Sequence, residues 1–189
     1  GATIRYTTNG SIPSENSGII YNGPISVAET TIVRAIAYKD RFLSTNVDTH
    51  TYLFPADVVN QPEMRTSITQ NATYGPQMVD ALLSIPSISL TFAGNDVDRT
   101  EIPTSVELLN FEGESKQVNA GVVRFGGAFT NFAKRSIRLH FRSEYGPSRL
   151  KFPLYDGHDY KTPPVENFDA LDLRAGNHDM VARGAYLSN

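Results

Sequence analysis

The sequence has no cysteine, no tryptophan and only three methionines in 189 residues. Without thiols there is no disulfide staple, no zinc-thiolate centre and no cysteine nucleophile, although the compartment stays open. No stretch reaches the roughly 20 consecutive apolar residues of a membrane-spanning helix, and no basic-then-apolar leader opens the chain. The motifs Gly-x-x-x-x-Gly-Lys-[Ser/Thr], Gly-x-Gly-x-x-Gly, Gly-x-Ser-x-Gly and His-Glu-x-x-His are missing. Their absence removes support for a Walker loop, a dinucleotide fingerprint, a serine-hydrolase elbow and a zincin helix.

What is present is globular: 40% hydrophobic and 20% charged residues, in a length that suits one large domain or a small and a medium one. Position 1 is not Met, and residues 2–6 already read as strand. The expectation is a piece of a longer protein. The net charge of -3 is polarised: residues 124–151 hold seven Lys/Arg against Glu144 alone, a local +6 that leaves -9 for the remainder. Such a segment is either an electrostatic footprint for an anionic partner or a solvated strand face.

Alternation and turn chemistry predict a mainly β fold. In residues 1–54, Ile4 and Tyr6 alternate with polar neighbours, and Asn9-Gly10 and Asn22-Gly23-Pro24 supply turns. Residues 31–38 form the best strand of this part and 49–53 a last one. These short strands predict a small β-sandwich with a core of Ile4, Tyr6, Ile32 or Val33, Ile36 and Leu53. Residues 55–86 change to Asn, Gln, Pro and Thr and read as a linker. Their helical pattern lies at 77–84, bracketed by Pro76 and Pro86, with Met78, Ala81, Leu82 and Ile85 on one side. Asn71-Ala72-Thr73 matches a glycosylation triplet. From 87 onward strands return at 88–92, 104–109, 121–125, 134–142, 150–155 and 168–174. In 134–142, Ile137, Leu139 and Phe141 take one face and Lys134, Arg138, His140 and Arg142 the other. The domain reading is therefore 1–54, 55–86 and 87–189.

The strongest chemical candidate is Arg124-Phe125-Gly126-Gly127, followed by Lys134, Arg135 and Arg138. Glycines between strands let backbone N–H groups approach an anion, and cations on the next strand neutralise phosphate. A plain turn beside a solvated face explains the same pattern. Asn95, Asp96, Asp98 and Glu101 form one acidic loop, and Asp156, His158 and Asp159 another. Both offer oxygen ligands but neither has calcium-loop spacing, so no metal ligand is assigned. His178-Asp179 are neighbours that point apart on an extended chain. Phe125, Phe129 and Phe132 read as core, and nucleic acid is not expected as a partner.

Two segments resemble known families. Ala2-Thr3-Ile4-Arg5-Tyr6-Thr7-Thr8-Asn9-Gly10-Ser11-Ile12-Pro13, Tyr21-Asn22-Gly23-Pro24-Ile25 and Thr31-Ile32-Val33-Arg34-Ala35-Ile36-Ala37 resemble the chitobiase/β-hexosaminidase C-terminal module. That module is a non-catalytic, fibronectin-III-like sandwich, matched here without its first strand. Five later motifs resemble the N-terminal part of the CotH kinase family, the spore-coat-type atypical kinases. They are Arg124-Phe125-Gly126-Gly127, Phe132-Ala133-Lys134-Arg135-Ser136-Ile137-Arg138-Leu139, Glu144-Tyr145-Gly146, Leu150-Lys151-Phe152-Pro153-Leu154 and Phe168-Asp169-Ala170-Leu171-Asp172-Leu173-Arg174. This second resemblance implies a β-rich N-terminal portion of an α+β kinase-like domain, ATP and a divalent metal (Mg) as cofactors, and a protein Ser substrate. It implies Lys134 as the nucleotide-phosphate contact, with Arg138, Arg124, Gly126 and Gly127 beside it. The family's catalytic and metal-binding acids are expected beyond Asn189, so the isolated chain is expected to be inactive. The company such modules keep implies an exported or cell-surface protein with glycan or cell-wall contact through residues 1–54. The competing expectation is a non-enzymatic surface or adhesion protein that binds glycan or protein through the sandwich.

Overall fold

Alternating β-branched and polar residues, cut by Gly, Pro and Asn turns, make antiparallel strands the predominant element, so the protein is mainly β. The computed structural model describes residues 1–62, 64–94, 96–111, 113–126, 135–155 and 161–175. It divides into two compact units, Gly1–Ala93 with Ser105–Gln117, and Gly94–Thr104 with Val118–Asn189.

In the first unit, β1 (Thr3–Thr7), β2 (Ile19–Ile20), β3 (Thr31–Tyr38) and β4 (Asp48–Tyr52) form one sheet in the order β2-β1-β3-β4. The register Ile4↔Ala37, Tyr6↔Ala35 and Thr7↔Arg34 sorts the residues by face. Ile4, Tyr6 and Val33 share one face, and Ile32, Arg34 and Ile36 the other. The expected core drew on both faces, and the structure corrects it. Ile4 and Leu53 are exposed, while the buried residues of these strands are Thr7, Arg34 and Thr49, which lie on one line across β1, β3 and β4. Arg34 Nη1 donates to the Gly10 carbonyl at 3.2 Å, and burial pushes its pKa below the usual arginine value. Gly10 takes φ +76°, which the Asn9-Gly10 turn requires.

The same face carries Thr51, whose N–H donates to Glu107 Oε1 at 2.8 Å. The Thr51 hydroxyl also meets Glu107 Oε2 and lies 2.7 Å from Ser89 Oγ. Ser89 stands on β5 (Ser87–Phe92) and Glu107, itself buried, on β6 (Ile102–Phe111). Between β4 and β5 run α1 (Pro55–Val59), α2 (Thr66–Thr69), a 3₁₀ turn at Gly75–Gln77 and α3 (Met78–Leu83). The expected helix at 77–84 is present, but Ile85 lies beyond its last turn and is exposed. A residue before proline is disfavoured in the helical region, which accounts for the helix ending before Ile85. α1 begins on Pro55, and its Asp57 Oδ2 accepts the Thr30 N–H at 2.6 Å, which ties the helix to the start of β3.

In the second unit, β8 (Ile137–His140) lies between the end of β7 (Glu114–Arg124) and β11 (Ala170–Leu173). β9 (Leu150–Lys151) and β10 (Asn167–Phe168) pair separately. Strand order along the five-stranded sheet is β11-β8-β7-β6-β5. Val122, Leu139, Phe141 and Leu150 of this unit are buried. Leu139 and Phe141 are thus inward as their alternation predicts.

Candidate anion-binding site

The end of β7 and the start of β8 carry Arg124, Arg135 and Arg138, three of the cations that the sequence singled out, with Arg124 on the face opposite Arg138. Register sets Arg124 opposite Ile137 and Val123 opposite Arg138. One step further, the Phe125 N–H donates to the Ser136 carbonyl at 3.1 Å. Gly126 then turns the chain with φ +89°, the left-handed region where glycine carries no steric cost. Gly127 and Lys134 lie outside the described residues, as do Asn95, Phe129, Phe132, the Asp156, His158, Asp159 group and His178-Asp179.

Arg138 faces Asp172, its register partner on β11. The pair is two-pronged, with Nε to Oδ1 at 2.5 Å and Nη2 to Oδ2 at 2.7 Å. The guanidinium also lies 5.1 Å from the centre of the Phe125 ring, a cation–π contact. Hydrogen bonding from Arg138 holds the Asp172 carboxyl below the usual range, and the same bond raises Arg138. Phe125 is therefore the platform on which Arg138 rests.

Arg124 and Arg135 meet a different kind of partner. The loop that leads to β6 passes beside them: the Arg124 N–H donates to the Asp98 carbonyl at 2.9 Å, and Arg99 Nη2 donates to the Gly126 carbonyl at 3.2 Å. On this loop Asp96 pairs with Arg135 Nη1, and Asp98 approaches Arg124 Nη1 at 4.0 Å. The acidic loop and the basic strand, which the sequence presents as separate features, are thus each other's counter-charge. Among the described residues no group of three or more His, Asp or Glu is placed to hold a metal ion.

Glu101, the last acid of this loop, is a hub that the sequence reading left among potential cation ligands. Its Oε2 lies 3.2 Å from Arg142 Nη2 and 3.7 Å from His140 Nε2, while Oε1 is buried without a hydrogen bond. Burial first, then the neighbouring carboxylates Glu101 and Glu144, push the Tyr145 phenol up to about 12. Gly121 leaves the room for this cluster, because a side chain there would overlap Glu101 Oε1 and the Tyr145 ring. Spacing gives no hint of it: the register of β7 with β8 sets Gly121 opposite His140, and Glu101, Arg142 and Tyr145 reach the same place from outside those strands.

Comparison with known proteins bears on the other end of the chain. No curated protein and no solved structure matches it. Residues 1–52 match the model of the family described as Fn3 associated, so this segment is similar to a fibronectin-III-associated module.

Proposed function

We propose that the chain joins a fibronectin-III-associated accessory module to the nucleotide-facing sheet of a CotH-like atypical protein Ser kinase of the cell surface. The observation that supports this most is the junction of β7 and β8, where a positive-φ glycine, Gly126, leaves one antiparallel strand and arginines line the start of the next. Kinase-type phosphate sites use that arrangement of a glycine turn over the phosphates and a strand-borne cation. Lys134 is the proposed phosphate contact, supported by Arg124, Arg138, Gly126 and Gly127. ATP would enter as its magnesium complex, since magnesium is usually held through substrate phosphates as much as through protein carboxylates. The chain contains no His-Arg-Asp or Asp-Phe-Gly triplet, so its proposed share of the chemistry is binding the phosphates, not transferring one. Titration calorimetry with ATP–Mg²⁺ at low salt tests the reading. Saturable binding weakened by Lys134→Ala is expected, and binding indifferent to Lys134 removes that residue from the site.

A second reading rests on a specific observation, the match of residues 1–52 to an accessory family. On it the protein is a surface or adhesion component that contacts glycan or protein through that module. Retention of the chain on a glycan array, abolished by removing residues 1–54, would favour it over the kinase reading.

A further inference from the structure

Among the described residues, the acid–arginine pairs along residues 124–142 differ in kind. Arg138 and Asp172 are matched prong for prong across two paired strands, and both are similarly exposed, at 41% and 39%. Arg142 shares Glu101, the more buried partner, which holds it to the sheet. Arg124 and Arg135 reverse this pattern. Their side chains are 16% and 32% exposed, whereas Asp98 and Asp96 are 81% and 61% exposed. The cation is fixed in the protein and the anion faces water. The match is also incomplete: Nε of both arginines is buried without a hydrogen bond, and Asp98 stands 4.0 Å from Arg124, beyond hydrogen-bonding reach. A guanidinium prefers two parallel bonds to a carboxylate or phosphate, and among the described residues each has at most one.

Geometry makes the two pairs one unit. Asp96 and Asp98 are two residues apart on one loop. Arg124, at the end of β7, and Arg135, two residues before β8, flank the Phe125 to Ser136 hydrogen bond. Arg99, from the same loop, holds the Gly126 carbonyl. We infer that Arg124 and Arg135 form a phosphate-class anion site for which Asp96 and Asp98 are the resident counter-ions, displaced when a polyphosphate binds. This rests on the reading of the β7–β8 junction as phosphate-facing and adds to it a residue, Arg135, and a control element, residues 96–99. An incoming di- or triphosphate would exchange with the two exposed carboxylates and spend the unused donor capacity of the guanidiniums. Loop 96–99 would then lift from the arginines.

The test uses inorganic tripolyphosphate, without nucleoside or metal, titrated into the chain at low ionic strength. Asp96→Asn with Asp98→Asn is expected to tighten binding about fivefold or more, because the incoming anion then neither displaces two carboxylates nor meets their negative charge. Arg124→Gln with Arg135→Gln is expected to abolish it. Unchanged or weaker binding in the aspartate variant overturns the inference, as does the absence of binding in both the wild type and that variant. Hydrogen exchange on the unaltered chain keeps the test independent of variant folding. Tripolyphosphate should speed exchange of amides 96–99, and added protection there contradicts the displacement. Failure of the parent reading looks different. If tripolyphosphate tightens in the aspartate variant while ATP gains nothing over it, the counter-ion site stands and the nucleotide assignment falls. If ATP binding depends on Lys134 but ignores Asp96 and Asp98, the reverse holds.

Discussion

At the scale of single residues, two positions carry more structure than their chemistry suggests. Gly121 is needed for space, since any side chain overlaps Glu101 and Tyr145. Gly121→Ala is therefore expected to destabilise the fold by about 1–3 kcal/mol, the usual cost of overpacking, read as a lower urea midpoint. Asp172 is the acid of the one two-pronged pair described on β8, and its folded pKa is depressed by Arg138. A depressed carboxyl stabilises above its unfolded pKa of about 4 and loses that contribution as pH falls through the folded value. Urea unfolding of wild type and Asp172→Asn should accordingly show a stability gap at pH 6 that closes in acid. A gap constant from pH 6 to pH 2 would contradict the pairing. Much of this residue-level chemistry was not legible in the sequence. The arginines and acids stand out as two charge clusters, but that they neutralise each other depends on which loop passes which strand.

Secondary-structure elements were far more legible. The period-2 run at 31–38 coincides with β3, the run at 88–92 falls within β5, and the two-proline bracket located α3. The helices α1 and α2 were missed because neither exceeds five residues, too short for an apolar period to show. Strand faces were the real difficulty. Ile4, Tyr6 and Ile36 all look inward in a one-dimensional pattern, yet the register sets Ile36 opposite Arg5, which puts Ile4 on the other face. Arg34 then occupies a buried place between Thr7 and Thr49, where apolar side chains were expected. One element-level contact is open to direct measurement. Glu107 accepts both the N–H and the hydroxyl of Thr51 on β4. Thr51→Val removes the hydroxyl donor from a buried carboxylate and should cost about 1–3 kcal/mol, while Ser89→Ala, which spares that donor, should cost less. Equal losses from the two variants would show that the carboxylate is not the anchor.

For the molecule as a whole, the net charge of -3 joins a basic β7–β8 region to an acidic remainder. Part of that remainder, Asp96, Asp98, Glu101 and Asp172, folds back onto the arginines, so the +6 of the linear segment is not the charge a ligand meets. Anion binding should consequently be modest and should fall as salt rises. On the proposed reading, in which the chain binds phosphates and does not transfer one, incubation with radiolabelled ATP and a protein substrate is expected to give no transfer; turnover by residues 1–189 alone would refute that reading. The most direct test of the central claim is calorimetric titration of the chain with ATP–Mg²⁺ at low ionic strength, beside Lys134→Ala and Arg124→Gln. The account predicts saturable binding in the wild type that both substitutions weaken. A flat titration in the wild type, or binding that neither substitution changes, would contradict a phosphate-facing β7–β8 junction.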